Sequence, residues 1–205
     1  MFTGLVEAIG LVSGCVESPG GRALTIATPL AASMTSGDSV AVNGVCLTVI
    51  RVAQNSSSAL PGVFVAQAGP ETLRVTNLGG LDEGALVNLE RPVKADSRMG
   101  GHFVLGHVDA TADIREVRPD GDFRWIRIGY PPEIAALLIL KGSIAVDGIS
   151  LTIAKVSNGE FDVQIVPFTW EHTNLHARTP GDAVNLECDV LGKYVLRALE
   201  ARTVT

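Results

Sequence analysis

The chain has little that would suit a strongly charged partner: 19% of its 205 residues are charged, the formal charge is −6, and like charges never form a run. General nucleic-acid binding and anionic-membrane binding both need a basic surface, so neither class fits. Cysteine is scarce as well. Cys15, Cys46 and Cys188 are too few and too scattered for a disulfide framework or a zinc knuckle. His102 and His107 stand five apart with no third ligand nearby, so no metal site is expected. No apolar stretch approaches the ~20 residues of a membrane span. The start, MFTGLVEAIG, has no basic region ahead of its apolar run and interrupts that run at Glu7, so no secretory signal is expected. Walker and dinucleotide glycine fingerprints and a nucleophile elbow are also missing. The expectation is a soluble, reduced, cytoplasmic protein.

What the chain does have is a repeat. Ser39 to Val52 (SVAVNGVCLTVIRV) lies over Ser143 to Val156 (SIAVDGISLTIAKV) without a gap, and half the positions are identical. Pro70 to Leu78 (PETLRVTNL) matches Pro167 to Leu175 (PFTWEHTNL), and VNLE recurs at Val87 and at Val184. Thr3 to Glu7 (TGLVE) aligns with Leu105 to Asp109 (LGHVD). Four matches in one order mean a duplicated unit.

Each copy is a series of short β-branched runs broken by Gly, Pro, Asn-Gly and Asp-Gly, the pattern of an all-β fold. Two tandem Greek-key β-barrels of about six strands each are expected, followed by a C-terminal helix. The domains are read as 1–96, 97–189 and 190–205, with the junction near Pro92 to Gly100. A helical turn is expected before each hairpin, at Leu30 to Thr35 and at Pro132 to Leu140. Gln54 to Gly62 reads as a surface loop. In the tail, Leu191, Tyr194, Val195, Ala198 and Leu199 form one apolar stripe, suited either to the chain's own barrel or to other copies of the helix.

Asn43-Gly44 and Asp147-Gly148 are two-residue hairpin turns. Strand alternation then puts Val40, Val42, Val45, Leu47 and Val49 on one face of the first hairpin, and Ser39, Ala41, Cys46 and Thr48 on the other. The second hairpin divides in the same way, with Ile144, Val146, Ile149, Leu151 and Ile153 opposite Ser143, Ala145, Ser150 and Thr152. Small hydroxyl-bearing side chains admit a flat ligand close to the backbone; they are equally at home facing solvent.

Chemistry concentrated in one copy should show where the copies differ. Cys46 is matched by Ser150, Asn43 by Asp147 and Gly37 by Lys141, and His102 precedes the second copy where the first has no counterpart. Hydroxyl, carboxylate, ammonium and imidazole together could handle protons. Each also has a structural reading: turn chemistry for Asp147, solvation for Lys141, a structural hydrogen bond for His102, and a small buried hydrophobe for Cys46.

MFTGLVE, NGVCLTV, DGISLTI, GGHFVLGHVD and ETLRVTNL together resemble the riboflavin synthase family of the alpha type, the lumazine-binding repeat proteins, over essentially the whole chain. The resemblance implies a transferase of riboflavin biosynthesis that moves a four-carbon unit between two molecules of 6,7-dimethyl-8-ribityllumazine. The products are riboflavin and 5-amino-6-ribitylamino-pyrimidinedione, and no metal or organic cofactor is needed. It also implies a homotrimer seamed by the tail helices, with a site between the first barrel of one subunit and the second of another, and lumazine synthase as a possible partner. The reactive positions implied are Phe2, Thr3, Ser39, Cys46, Thr48, His102, Lys141, Asp147, Ser150 and Thr152. Substrate contacts are implied at Gly4, Leu5 and Val6, at Cys46, Leu47 and Thr48, and at Gln67, Ala68, Gly69, Pro70, Glu71 and Thr72. In the second half they fall at Gly101, His102 and Phe103, at Lys141, at Ser150, Leu151 and Thr152, and at Gln164, Ile165, Val166, Pro167, Phe168 and Thr169. Phe168 departs from the family's frequent acidic residue, and Val45 beside Cys46 excludes paired-thiol chemistry. The alternative on the same fold is a non-catalytic lumazine or flavin carrier.

Overall fold

Asn43-Gly44 and Asp147-Gly148 set the register around them. Both residues of each turn have positive φ (46° and 75°; 44° and 78°), the geometry whose twist matches the flanking strands. Ser39 therefore pairs with Thr48 and Ala41 with Cys46, and Ser143 pairs with Thr152 and Ala145 with Ser150.

In the computed structural model, which describes residues 1–53 and 62–203, two closed barrels follow one another. The first comprises β1 (Ala8–Ser18), β2 (Gly21–Ala27), β3 (Ser39–Val42), β4 (Val45–Ala53), β5 (Val63–Ala68) and β6 (Leu86–Glu90). The second comprises β7 (Ala110–Asp120), β8 (Phe123–Gly129), β9 (Ser143–Val146), β10 (Ile149–Ser157), β11 (Glu160–Ile165) and β12 (Ala183–Cys188). The spatial order β1-β2-β5-β4-β3-β6 repeats in the second copy, and β1–β6 and β7–β12 pairing completes each circuit. Closure leaves no free sheet edge. Bulges recur at matching points, after Val12 and Val49 in one barrel and after Ile114 and Ile153 in the other. An extra residue on one strand raises local twist and lets six short strands close.

The apolar hairpin faces fill the barrels: Val40, Val42, Val45, Leu47 and Val49 lie in one core, and Ile144, Val146, Ile149 and Ile153 in the other. Each such side chain contributes ~1.5–3 kcal/mol by leaving water. A small third cluster, distinct from the two cores, gathers Phe2, Val104 and one alanine from each hairpin, Ala41 and Ala145.

The turns expected before the hairpins are 3-10 turns at Pro29–Ser33 and Pro132–Leu137. Two further short helices, α1 (Pro70–Val75) and α2 (Pro167–Glu171), were not legible beforehand. Five or six residues make too little periodicity to read. The loop expected at Gln54 to Gly62 lies, except for Gly62, outside the described residues. The tail forms α3 (Val190–Thr203), tethered at its base by Lys193 to Asp109 at 2.7 Å. Leu191, Tyr194, Val195 and Leu199 are 56–72% exposed, so the stripe does not fold onto its own barrel. No described helix is long and apolar enough to cross a membrane.

Candidate active site

Two short segments, Thr3 to Val6 and Leu105 to Val108, cross between the barrels as a matched pair. Each is gripped by a buried carboxylate of its own barrel. Glu90 accepts from Thr3 N (2.6 Å), Thr3 Oγ (2.7 Å) and Gly4 N (2.9 Å). Glu187 accepts from Leu105 N (2.7 Å), Gly106 N (2.9 Å) and His107 N (3.1 Å). Their carbonyls serve the other barrel: Ser150 N donates to Gly4 O at 2.8 Å, and Cys46 N donates to Gly106 O at 2.9 Å. Gly4 and Gly106 have φ of 76° and 82°, and a Cβ on either would lie 2.6 Å from the Cβ of Ser150 or Cys46. Only glycine fits at that approach.

On the second barrel, His102 N donates to Thr3 O at 3.1 Å, while its Nδ1 lies 2.7 Å from Ser150 Oγ. Gly101 permits this approach, since a Cβ there would sit 2.0 Å from Thr3 O. His102 is only 8% exposed, and its Nε2 has no hydrogen-bond partner. Burial pushes the imidazole below its ordinary range, and the Asp189 carboxylate offsets part of that. A neutral ring whose Nδ1–H faces Ser150 leaves Nε2 as a free base.

Lys141 has φ 67°, where the first copy has Gly37 with φ 97°, and its backbone N donates to Ile153 O at 2.8 Å. A non-glycine residue there costs ~1–2 kcal/mol, a cost that the first copy's glycine avoids. Ser150 and Ser143 are half-buried, and Thr152 and the Lys141 side chain are exposed.

On the first barrel, register places Ser39, Thr48 and Gln67 in one row across β3, β4 and β5, all exposed. Cys46 is half-buried beside the Phe2 cluster. A cavity of about 750 Å³ begins at Ser39 and Thr3 and is also bounded by Ser33, Arg91, Lys94 and Arg98.

The remaining expected contacts separate by burial. Leu47, Ala68 and Ile165 belong to the cores, and Val6 and Leu151 pack against one, so these can offer a ligand mainly backbone. Leu5, Phe103, Pro70, Val166 and Gln164 are exposed, and Gly69, Thr72, Pro167 and Thr169 are half-buried around the starts of α1 and α2. Glu71 is bound to Arg74, and Phe168 stacks on His172 with ring centroids 4.0 Å apart.

Two residues grouped with the reactive set sit elsewhere. Phe2 is fully buried in the joint between the barrels, with its backbone bridged to Val104. Asp147 is also fully buried: Oδ1 accepts from Asn185 N and Asn77 Nδ2, and Oδ2 accepts from Asn174 Nδ2 and Arg178 Nη2 at 2.8 Å. Burial pushes this carboxyl upward while Arg178 pulls it down. All four partners hold the turn, and none is Ser150 or His102. At the matching places the first copy has Asn43 and Leu81, so Asp147 and Arg178 are one compensated change, an ion pair in place of a neutral pair.

Gly106, His107 and Val108 had not been assigned to the site. They stand to Cys46 and the first core as Gly4, Leu5 and Val6 stand to Ser150 and the second. The alignment of TGLVE with LGHVD already carried that signal.

The sequence model of the lumazine-binding domain family matches residues 3–92 and 105–189. The riboflavin synthase of Mycobacterium bovis is 44% identical over 98% of this chain and 99% of its own length. That of Bacillus amyloliquefaciens is 41% identical over 97% of this chain and 90% of its own. Among solved structures, LumP complexed with riboflavin superposes with a TM-score of 0.83 at 23% identity, covering 92% of this chain and 99% of LumP.

Proposed function

The chain belongs to the riboflavin synthase family, and from that premise we propose that it transfers a four-carbon unit between two molecules of 6,7-dimethyl-8-ribityllumazine. Riboflavin and 5-amino-6-ribitylamino-pyrimidinedione are the products. The observation that carries this reading is the Ser150–His102 contact at 2.7 Å, beside an imidazole nitrogen that is buried and unpartnered.

One lumazine lies on the face of each barrel. The C7 methyl of a lumazine is acidic because its anion delocalises into the pyrimidinedione carbonyls, so a modest base suffices. Neutral His102 takes that proton, with Ser150 and Thr152 orienting the ring and Lys141 placing positive charge beside it. Cys46 or a water adds to C7 of the other lumazine, on the face formed by Ser39, Thr48 and Gln67. Stacking two flat substrates in register supplies on the order of 7–11 kcal/mol of the rate acceleration. Because the substrate ring is itself the electron sink, neither metal nor organic cofactor takes part. Asp147 and Phe2 act as positioning residues at the joint.

The enzyme works as a cytoplasmic homotrimer. The exposed α3 stripe forms the seam, and the first barrel of one subunit faces the second barrel of another across the site. The domains run 1–96, 97–189 and 190–205. The test is to mix the protein with the lumazine and follow riboflavin absorbance. Persistent lumazine fluorescence without turnover identifies a carrier and ends the proposal.

A further inference from the structure

Both barrels contain a buried carboxylate at the same place, the last residue of VNLE, and neither forms an ion pair among the described residues. Glu90 is 6% exposed and Glu187 is 2% exposed. Each spends its oxygens on consecutive backbone N–H groups of the segment that leaves its own barrel. That segment then delivers a carbonyl to the opposite hairpin, Gly4 O to Ser150 N and Gly106 O to Cys46 N. Thr3 O also holds His102 N.

We infer that Glu90 and Glu187 are cross-wired positioning residues, each setting the geometry of the ligand face on the barrel to which it does not belong. Glu90 tunes the Ser150–His102 face, and Glu187 tunes the Cys46 face. Charge-assisted bonds from a strand end are shorter and stronger than neutral ones and hold each segment in place. A Cβ on either glycine would lie 2.6 Å from the opposite hairpin, so the crossing leaves little slack to absorb a shift. The inference rests on the lumazine reading of the two faces.

Glu90→Gln and Glu187→Gln keep side-chain volume but turn one acceptor oxygen into an N–H donor facing a backbone N–H. Riboflavin is the probe, used on a Val195→Glu parent in which the facing barrels of neighbouring subunits are kept apart, so that each barrel has its own reporter. The chain's two tryptophans, Trp125 and Trp170, are both in the second barrel, while Cys46 is in the first. In the parent protein, riboflavin should quench tryptophan fluorescence and protect Cys46 from iodoacetamide, read by peptide mass. Glu90→Gln should raise the riboflavin concentration needed for quenching by about tenfold and leave Cys46 protection within about twofold. Glu187→Gln should do the reverse. Glu90→Asp and Glu187→Asp keep the carboxylate but shorten its reach by one methylene, should give the same two patterns, and decide the matter if a Gln variant does not fold.

Glu90 also borders the first barrel's cavity. A direct role there gives the opposite result, with Glu90→Gln losing Cys46 protection, and that outcome overturns the inference, as does equal loss at both faces. Absence of both quenching and protection in the parent protein would refute the lumazine reading itself.

Discussion

Gly44 and Gly148 meet tip to tip: a Cβ on either would lie 2.6 Å from the other's amide nitrogen. The two hairpin turns therefore pack against each other at the pseudo-twofold axis relating the barrels. Around them runs a polar ring with the same symmetry. Asn88 Nδ2 donates to Asp147 O as Asn185 Nδ2 donates to Asn43 O, and Asn174 N donates to Asn88 Oδ1 as Asn77 N donates to Asn185 Oδ1. The ring departs from symmetry at Asp147 and Arg178.

Removing one member of that buried pair strands the other charge. Asp147→Asn or Arg178→Leu alone should cost about 3–5 kcal/mol of unfolding free energy. The double variant recreates the first copy's Asn43 and Leu81 arrangement and should recover most of the loss in urea titrations. Additive losses would refute the pairing.

Ser150→Ala removes the hydroxyl at His102 Nδ1 without altering the backbone bond to Gly4 O. Turnover should fall ~10²–10³-fold while KM for the lumazine changes less than about threefold. Equal losses in both would make Ser150 a binding group only.

His102 titrates below its ordinary value because burial penalises the imidazolium. The folded protein then holds fewer protons than the unfolded chain below pH ~6.5, so His102 contributes stability above that pH that is lost as pH falls through the folded value. The acid limb of kcat/KM should lie below pH ~6.5 and disappear in His102→Gln. A limb unchanged by that substitution assigns it to another group.

Val195 is exposed midway along the α3 stripe. Val195→Glu puts a charge in the proposed seam and should convert a trimer to monomers in sedimentation velocity, with the barrels' far-ultraviolet dichroism unchanged. A monomeric parent protein removes the seam.

Much of the fold was legible because its signals are local. Turn chemistry at Asn43-Gly44 and alternation from Ser39 to Val49 set the strand register, and the repeat doubled every reading. Ser150 was readable too, as the point where the copies diverge. Asp147 joins the same reactive set because it too marks a difference between the copies, replacing Asn43. Its partners Asn77, Asn174, Asn185 and Arg178 lie 27–70 residues off, beyond any local pattern.

Residue order alone determined that two like barrels form and which faces of their hairpins are apolar, since periods of two and glycine turns act over a few bonds. Tertiary structure alone decided that each barrel's leading segment crosses to cap the other hairpin, bringing Thr3, Gly4, His102 and Ser150 together. The reason is that a backbone carbonyl finds its donor by position in space. Glycine and glutamate write the same letters whether their partner is near in sequence or on another barrel.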